Sequence, residues 1–141
     1  MQIGVDSQRS VENKRVFVVE NDEVNSMGLQ FMLADENETH VLPSVAAAID
    51  KARDWPPHLV LLGIGLVRTE GTALIGQIKS SMNSARILLV CDSTDDAAVK
   101  DALAQGADGT LLTPLRIETV RRKVDSALGR AVPIGIPVVR C

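Results

Sequence analysis

Residues 15–22 read Arg-Val-Phe-Val-Val-Glu-Asn-Asp, an apolar and largely β-branched run that ends abruptly in polar residues. Two similar runs follow at 59–62 and 87–91. None of the three shows the alternation of apolar and polar residues that marks a strand with one solvated face. Strands that helices cover on both faces have this continuous apolar pattern, so we predict a parallel sheet inside two helical layers.

The rest of the chain extends this pattern outward into an alternation of strands and helices. Five predicted strands lie at 15–19, 39–42, 58–63, 86–91 and 109–112. A predicted helix follows each of them, which gives an α/β fold with a five-stranded parallel sheet and helices on both faces. In such sheets, functional residues gather outside the carboxyl ends of the strands.

Local signals place the predicted helices. Val24, Met27, Phe31 and Met32 recur at helical spacing and predict the first helix, which should end near 35–37. Ser44 is the expected N-cap of the second helix, and Ser93 or Thr94 that of the fourth. We expect a loop at 64–72 before the third helix, and the apolar spacing between 117 and 128 predicts the fifth.

Composition restricts the class of protein. The 141 residues suffice for about one domain. A formal net charge of −3, with two Phe, one Trp and no Tyr, gives neither a basic field nor stacking platforms for nucleic acid, so we expect no nucleic-acid partner. The apolar runs are far shorter than the about 20 residues of a membrane span, and 1–9 are polar. We therefore predict a cytoplasmic protein without a membrane partner.

Three segments are expected. Residues 1–13 lack periodicity and are predicted to form a flexible N-terminal extension, followed by one domain at 14–129. Residues 130–141 form an apolar tail in which Pro133 and Pro137 bar a helix, so the tail should be extended. It is expected to pack on the domain, add to a sheet edge or contact another subunit.

The strand ends contain little catalytic chemistry. Glu20 and Asp22 are weak Mg²⁺ candidates, with Asp22 acting as a helix N-cap as the alternative. Cys91 lies in an apolar run and reads as a packed thiol rather than a nucleophile. No glycine-rich phosphate loop follows the first strand, and no nucleophile–base pair is visible. We predict no catalytic residue, no cofactor and no enzyme.

Four ordered features resemble the receiver domain of bacterial response regulators. They are the acidic loop 20–22, the apolar strand after Pro56-Pro57, the Gly-Ala-Asp at 106–108 and the pair Thr113-Pro114. The resemblance covers about 14–129 and implies the flavodoxin-like (βα)₅ fold. It also implies a cis peptide bond before Pro114.

The resemblance further implies a phosphorylation pocket, which is degenerate here. The family has an acidic pair that binds Mg²⁺, an Asp that accepts a phosphoryl group from a histidine kinase, a Ser or Thr, and a Lys before the cis proline. The matching positions are Glu20 and Asn21 for the pair, Gly63 for the acceptor, Cys91 for the hydroxyl, and Thr113 before Pro114. Phosphoryl transfer of this kind needs a nucleophilic carboxylate, which glycine lacks, so we predict that no aspartyl phosphate forms.

Two functions remain open at this stage. The first is a phosphorylation-independent signalling module of two-component type that binds another signalling protein or forms a homodimer. Its expected face is made by the fourth predicted helix, the fifth strand and the fifth predicted helix, with Lys100, Leu111, Arg121, Arg122 and Lys123 as partner-binding candidates. The alternative is a small-ligand sensor that uses the extra room expected in the vacated pocket, which is made by Glu20, Asn21, Gly63, Cys91, Asp92 and Thr113.

Overall fold

The computed structural model describes residues 14–82 and 84–129; the predicted extension at 1–13 and tail at 130–141 lie outside the described residues. The predicted α/β fold is confirmed, with five strands and six helices in the described chain. In order they are β1 Lys14–Val19, α1 Glu23–Leu33, β2 Asn37–Leu42, α2 Val45–Ala52, β3 Leu59–Gly63, α3 Ile64–Glu70, α4 Ala73–Ser81, β4 Arg86–Cys91, α5 Ala97–Ala104, β5 Gly109–Leu112 and α6 Ile117–Ala127.

All five strands are parallel and form one sheet in the order β2-β1-β3-β4-β5. The chain moves from β1 outward to β2, then returns to β3 on the other side of β1. The carboxyl ends of β1 and β3 therefore flank the point where the strand order reverses, which is where open α/β sheets place their sites.

The apolar runs are explained by two core layers, one on each face of the sheet. Val60 and Leu62 face the layer formed with α2, α3, α4 and α5. Leu59 and Leu61 face the layer formed with α1 and α6. Since both faces of β3 are covered, every residue of the strand is buried and the sequence shows no alternation.

The loop predicted at 64–72 is wrong, because α3 begins directly after β3. Ile64, Leu66 and Val67 are buried in the layer of α2–α5. Gly71 ends the helix with φ of 95°, a backbone conformation that favours glycine. The glycines at 63, 65 and 71 suggested a loop, but burial of three apolar side chains stabilises a short helix. The fourth and fifth predicted helices are thus α5 and α6.

Side-chain caps confirm one predicted helix start and correct another. Ser44 Oγ accepts a hydrogen bond from Ala47 N at 3.1 Å, as an N-cap should. The N-cap of α5 is Asp96, whose Oδ1 accepts from Ala98 N at 2.8 Å. Neither Ser93 nor Thr94 caps this helix, because α5 begins later than the apolar pattern suggested.

The apolar spacing that predicted α1 does not mark its buried face. Ser26, Leu29 and Leu33 are buried against the sheet. Val24, Met27 and Phe31 are instead exposed by 81%, 63% and 80%. The helix has two stripes at helical spacing, and only packing against the sheet selects between them.

A charged cluster joins β1 to β2. Glu38 accepts hydrogen bonds from Arg15 Nε at 2.7 Å and lies 2.7 Å from His40 Nε2. These two partners, Arg15 first, lower the pKa of Glu38 to about 2.

We expect Glu38→Gln to reduce the acid sensitivity of the fold. A carboxyl whose pKa is lower in the folded than in the unfolded state stabilises the fold above its ordinary pKa of 4.5, and this contribution is lost as the pH falls through about 2. Because Glu38 is partly exposed, the free energy of unfolding of the variant at neutral pH should be lower by about 1 kcal/mol or less. Denaturant unfolding at several pH values tests this, and equal pH slopes for both proteins would contradict it.

Candidate functional site

The carboxyl-end edge of the sheet brings together several of the residues that the sequence singled out. Glu20 and Asn21 follow β1, and Gly63 ends β3 beside them. Cys91 ends β4, and its carbonyl oxygen accepts a hydrogen bond from Thr113 N at 2.9 Å. The Thr113–Pro114 peptide bond is cis, as the resemblance implied. The edge is therefore a continuous surface from β1 to the turn after β5.

The side chain of Glu20 occupies the space that any larger residue at position 63 would need. A Cβ built on Gly63 would lie 2.5 Å from Cδ and 2.6 Å from Oε2 of Glu20, distances that real Cβ atoms do not adopt. The Glu20 carboxyl thus occupies the part of the expected pocket that lies next to Gly63. The space left by the missing side chain is filled by the carboxyl group of a neighbour.

Burial controls the chemistry of the Glu20 carboxyl. The residue is only 6% exposed, and Oε1 accepts a hydrogen bond from Asp22 N at 3.2 Å. Desolvation raises the pKa of Glu20, and hydrogen bonds from the Asp22 backbone and the Asn25 side chain oppose the rise in part. Burial also limits the access of reagents and cations to this carboxyl, so it is poorly placed to act as a nucleophile or a cation ligand.

Asp22 acts as the N-cap of α1. Its Oδ1 accepts a hydrogen bond from Asn25 N at 3.1 Å. This contact matches the structural alternative considered for Asp22, because it satisfies one of the free N–H groups at the start of the helix.

We expect Asp22→Ala to lower the free energy of unfolding by about 1 kcal/mol, and Asp22→Ser to leave it nearly unchanged. Serine keeps an oxygen that accepts from the helix but removes the carboxylate. Urea denaturation of the two variants measures the difference. Equal losses in both would show that the negative charge of Asp22, and not its capping contact, stabilises the domain.

Cys91 is a packed thiol. Its side chain lies in the core layer of α2–α5 and is 3% exposed. Burial is the main cause that raises the pKa of Cys91. Since the thiolate is the reactive form, this environment suits packing and not nucleophilic attack.

An ion pair that was not predicted crosses the same end of the sheet. Arg68 on α3 binds the carboxylate of Asp96, the N-cap of α5. The pair depends on α3, which replaces the predicted loop. The available signal was a cation five residues after Gly63, but only the helix places it near Asp96.

Leu111 does not belong to the exposed surface on which partner binding was predicted. It is 1% exposed in the core layer of α1 and α6, whereas Leu112 is 46% exposed. Side chains alternate along a strand, so a shift of one residue exchanges the buried and exposed positions. Leu112 is the apolar side chain that β5 offers to a partner.

The four charged candidates differ in their contacts. Lys100 on α5 and Arg122 on α6 are exposed. Arg121 binds Asp35 and donates to the carbonyl of Met32 at 3.2 Å, so it fastens α6 to α1. Lys123 Nζ donates to the carbonyl of Thr110 at 2.9 Å, so part of its charge lies against β5.

A groove of about 430 Å³ lies beside β5 and α6. Arg86, Arg122 and Lys123 contribute three positive charges to its lining, and Asp108 contributes one negative charge. The groove is thus a net positive depression that is lined by β4, β5 and α6, and it adjoins the α6 side of the face on which partner binding was predicted.

A family model, the response regulator receiver domain, matches residues 16–125. The chain belongs to the response regulator receiver domain family. The match spans all five strands and nearly the whole of α6, so the family assignment covers the sheet and both core layers. The chain is the receiver domain of a two-component response regulator.

Relatives of known name are similar over the receiver domain. The DNA-binding transcriptional activator DevR/DosR of Mycobacterium tuberculosis is 30% identical over 122 residues, which cover 84% of this chain and 56% of the relative. The transcriptional regulatory protein LnrK of Bacillus subtilis is 26% identical over 113 residues, covering 78% and 51%. The chain spans about half the length of these curated relatives.

Solved receiver structures share the fold. A two-component response regulator from Clostridium difficile superposes with a TM-score of 0.74 at 24% identity, over 84% of this chain and 98% of the other. The chemotaxis protein CheY4 of Vibrio cholerae superposes with a TM-score of 0.73 at 18% identity, over 82% and 98%. The flavodoxin-like fold expected from the resemblance is thereby confirmed.

The residues of this receiver domain do not fit the Mg²⁺ site that its family implies. The Glu20 carboxyl is buried with a raised pKa, position 21 carries an amide, and Asp22 caps α1. Among residues 14–82 and 84–129, no group of three or more His, Cys, Asp or Glu side chains is arranged to hold a metal ion.

No helix in the described part of the receiver domain is long and apolar enough to cross a membrane.

Proposed function

We propose that this receiver domain signals without phosphorylation, by binding another signalling protein. The observation that carries the proposal is the pairing of Gly63 with Glu20. Position 63 has no carboxylate to accept a phosphoryl group, and the Glu20 side chain fills the space in which one would lie.

Glu20 is unsuited to replace the missing acceptor. Its carboxyl is only 6% exposed, so a phosphodonor has little access to it, and burial raises its pKa. Thr113 at the position of the family lysine supplies no cation to pair with a phosphate. These features support a domain whose partner binding is constitutive or controlled by another input.

Acetyl phosphate and beryllofluoride test this part of the proposal. The domain is incubated with Mg²⁺ and each reagent, beside a receiver domain that retains its acceptor Asp as the positive control. We expect no hydroxylamine-sensitive phosphate and no saturable change in the amide NMR signals of Glu20 and Gly63. Either signal, at the level of the positive control, would refute phosphorylation independence.

The face formed by α5, β5 and α6 is the proposed partner surface. It combines Leu112, an exposed apolar side chain, with the positively charged groove beside β5. Charge complementarity favours a partner segment that carries acidic side chains into this groove.

Charge reversal in the groove tests the surface. We expect Arg122→Glu with Lys123→Glu to abolish partner capture in a pull-down, while Lys51→Glu with Arg53→Glu at the C-terminal end of α2 leaves it intact. Arg121 is kept, because it fastens α6 to α1. Unchanged capture by the groove variant, with its fold verified by circular dichroism, would exclude this face.

We propose no catalytic role and no ligand-sensing role at Gly63. The protein-glutamate methylesterase of Methanospirillum hungatei is 29% identical to this chain, but the match covers only 33% of that relative. At Gly63 the Glu20 side chain fills the space that a ligand would enter. The cytoplasmic location and the lack of a nucleic-acid partner stay predictions.

A further inference from the structure

The exposed side chains Val24, Met27 and Phe31 form one contiguous apolar surface, the α1 stripe. Seven large hydrophobic side chains are exposed among the described residues, and three of them belong to this stripe. The other four lie on four separate parts of the chain. Contiguous apolar surface of this kind marks a contact site, whereas single exposed side chains are ordinary.

The size of the α1 stripe favours a short segment over a second copy of the domain. From residue 24 to residue 31 a helix rises about 10 Å. A stable interface between two proteins needs about 800 Å² from each partner. Three side chains on one helix fall well short of this area, whereas a single extended peptide segment could cover them.

The tail at 130–141, which lies outside the described residues, has a sequence that suits such a cover. In an extended chain, alternate side chains lie on one face. Val132, Ile134, Ile136 and Val138 would share one face of the tail, and Pro133, Gly135, Pro137 and Val139 the other. The first face is a row of four β-branched side chains about 20 Å long.

The end of α6, from which the tail continues, lies on the same face of the sheet as α1. Leu128 packs on the same core layer as Met32 of α1. Arg121 of α6 donates to the carbonyl of Met32 and binds Asp35 just beyond the helix. Ten residues of extended chain reach about 33 Å, which exceeds the length of the α1 stripe. The tail therefore reaches the stripe within one chain.

Handedness disfavours addition of the tail to the β5 edge. The connection from β1 through α1 to β2 runs across the same face of the sheet on which α6 lies. If the tail formed a parallel strand beyond β5, the connection from β5 through α6 to that strand would cross this face in the opposite direction. It would have the opposite hand, which occurs in only about 2% of such connections.

Charge agrees with one direction of docking. Arg130 precedes the apolar alternation of the tail, and Asp35 lies just after the end of α1. A tail that runs from the end of α1 toward its start begins with this cation near the acidic end of the helix.

We propose that residues 130–140 fold back along α1 and cover the α1 stripe within the same chain. The proposal is independent of phosphorylation and of the α5–β5–α6 face. In the proposed arrangement the tail buries the α1 stripe, so the stripe and the tail together form a small apolar core.

A spin label on Cys141 tests the docking. Cys91 is buried, so a nitroxide reagent labels Cys141 selectively in the folded protein. We expect the amide NMR signals of 23–31 to lose intensity, and to recover when the nitroxide is reduced. Unaffected α1 signals, or losses confined to β2 or β5, would refute the proposal.

A mixing experiment separates docking in one chain from docking between two copies. Spin-labelled chain without nitrogen-15 is mixed with nitrogen-15-labelled Cys141→Ser chain. We expect no loss of α1 signals in the mixture. A loss equal to that in the singly labelled sample would show that the tail docks on a second copy instead.

Substitutions in the α1 stripe provide the matched variants. We expect Met27→Ser with Phe31→Ser to abolish the intensity loss on α1, because both side chains are exposed and their removal leaves the core intact. Leu103→Ser with Leu112→Ser removes two exposed apolar side chains elsewhere and should preserve the loss. The same result in both variants would contradict specific docking on the stripe.

Discussion

Gly63→Ala is expected to lower the free energy of unfolding by about 1 kcal/mol, because the new Cβ displaces the end of a flexible side chain and costs it one hydrogen bond. The new Cβ would lie 2.5 Å from Cδ of Glu20, so the carboxyl must leave its place. Its movement breaks the hydrogen bond that Glu20 Oε1 accepts from Asp22 N. The loss should appear as a lower denaturation midpoint in urea.

A double-mutant cycle shows whether Glu20 causes this loss. In the Glu20→Ala background the added methyl has free space, so Gly63→Ala should cost little. We expect a coupling energy of about 1 kcal/mol between the two sites. Additive effects would contradict the placement of Glu20 against Gly63.

Gly65→Ala is the matched control for this cycle. A Cβ there would lie 3.6 Å from Asn21 Oδ1, an ordinary van der Waals contact. Because Gly65 lies within α3, alanine should stabilise the domain by up to about 1 kcal/mol. The opposite signs expected at 63 and 65 separate a specific overlap from a general effect of losing glycine.

Asp108→Ala is expected to lower the free energy of unfolding by about 1–3 kcal/mol, because one backbone N–H of β4 loses its acceptor. Asp108 Oδ2 accepts hydrogen bonds from Ile87 N at 2.8 Å and from Lys79 Nζ at 3.1 Å. Asp108 N also donates to Ile87 O at 2.8 Å. The carboxylate therefore continues the pairing of β4 just before β5 begins, and alanine leaves the Ile87 N–H without this acceptor.

Two variants separate the contributions of Asp108. Asp108→Asn keeps an oxygen for Ile87 N and should retain most of the stability. Lys79→Met removes only the partly exposed ion pair and should cost less than about 1 kcal/mol. Denaturant unfolding of the three variants ranks them, and an equal loss in Lys79→Met and Asp108→Ala would contradict the role of the Ile87 N–H.

The sequence predicted the sheet and the strand ends well because these depend on local patterns. The apolar runs at 59–62 and 87–91 are continuous since helices cover both faces of the strands, and the structure confirms this. The predictions that Ser44 is an N-cap and that Gly63 ends a strand were also correct, because each follows from residue type and neighbours along the chain.

Features that depend on which of two surfaces is buried were predicted poorly. The apolar stripe Val24, Met27 and Phe31 has the correct helical period but faces away from the sheet. Leu111 and Leu112 are equally apolar, yet only Leu111 meets the core. Each pattern is compatible with two orientations, and long-range packing selects one.

The candidate site shows the same division. Glycine at 63 is a property of the chain, so the proposal that no aspartyl phosphate forms could be made without coordinates. Glu20 was assigned to the edge, but its carboxyl was not expected to fill the space at Gly63. Residues 20 and 63 meet only when β1 and β3 pair, and the gap left by a glycine is filled by whichever neighbour can reach it.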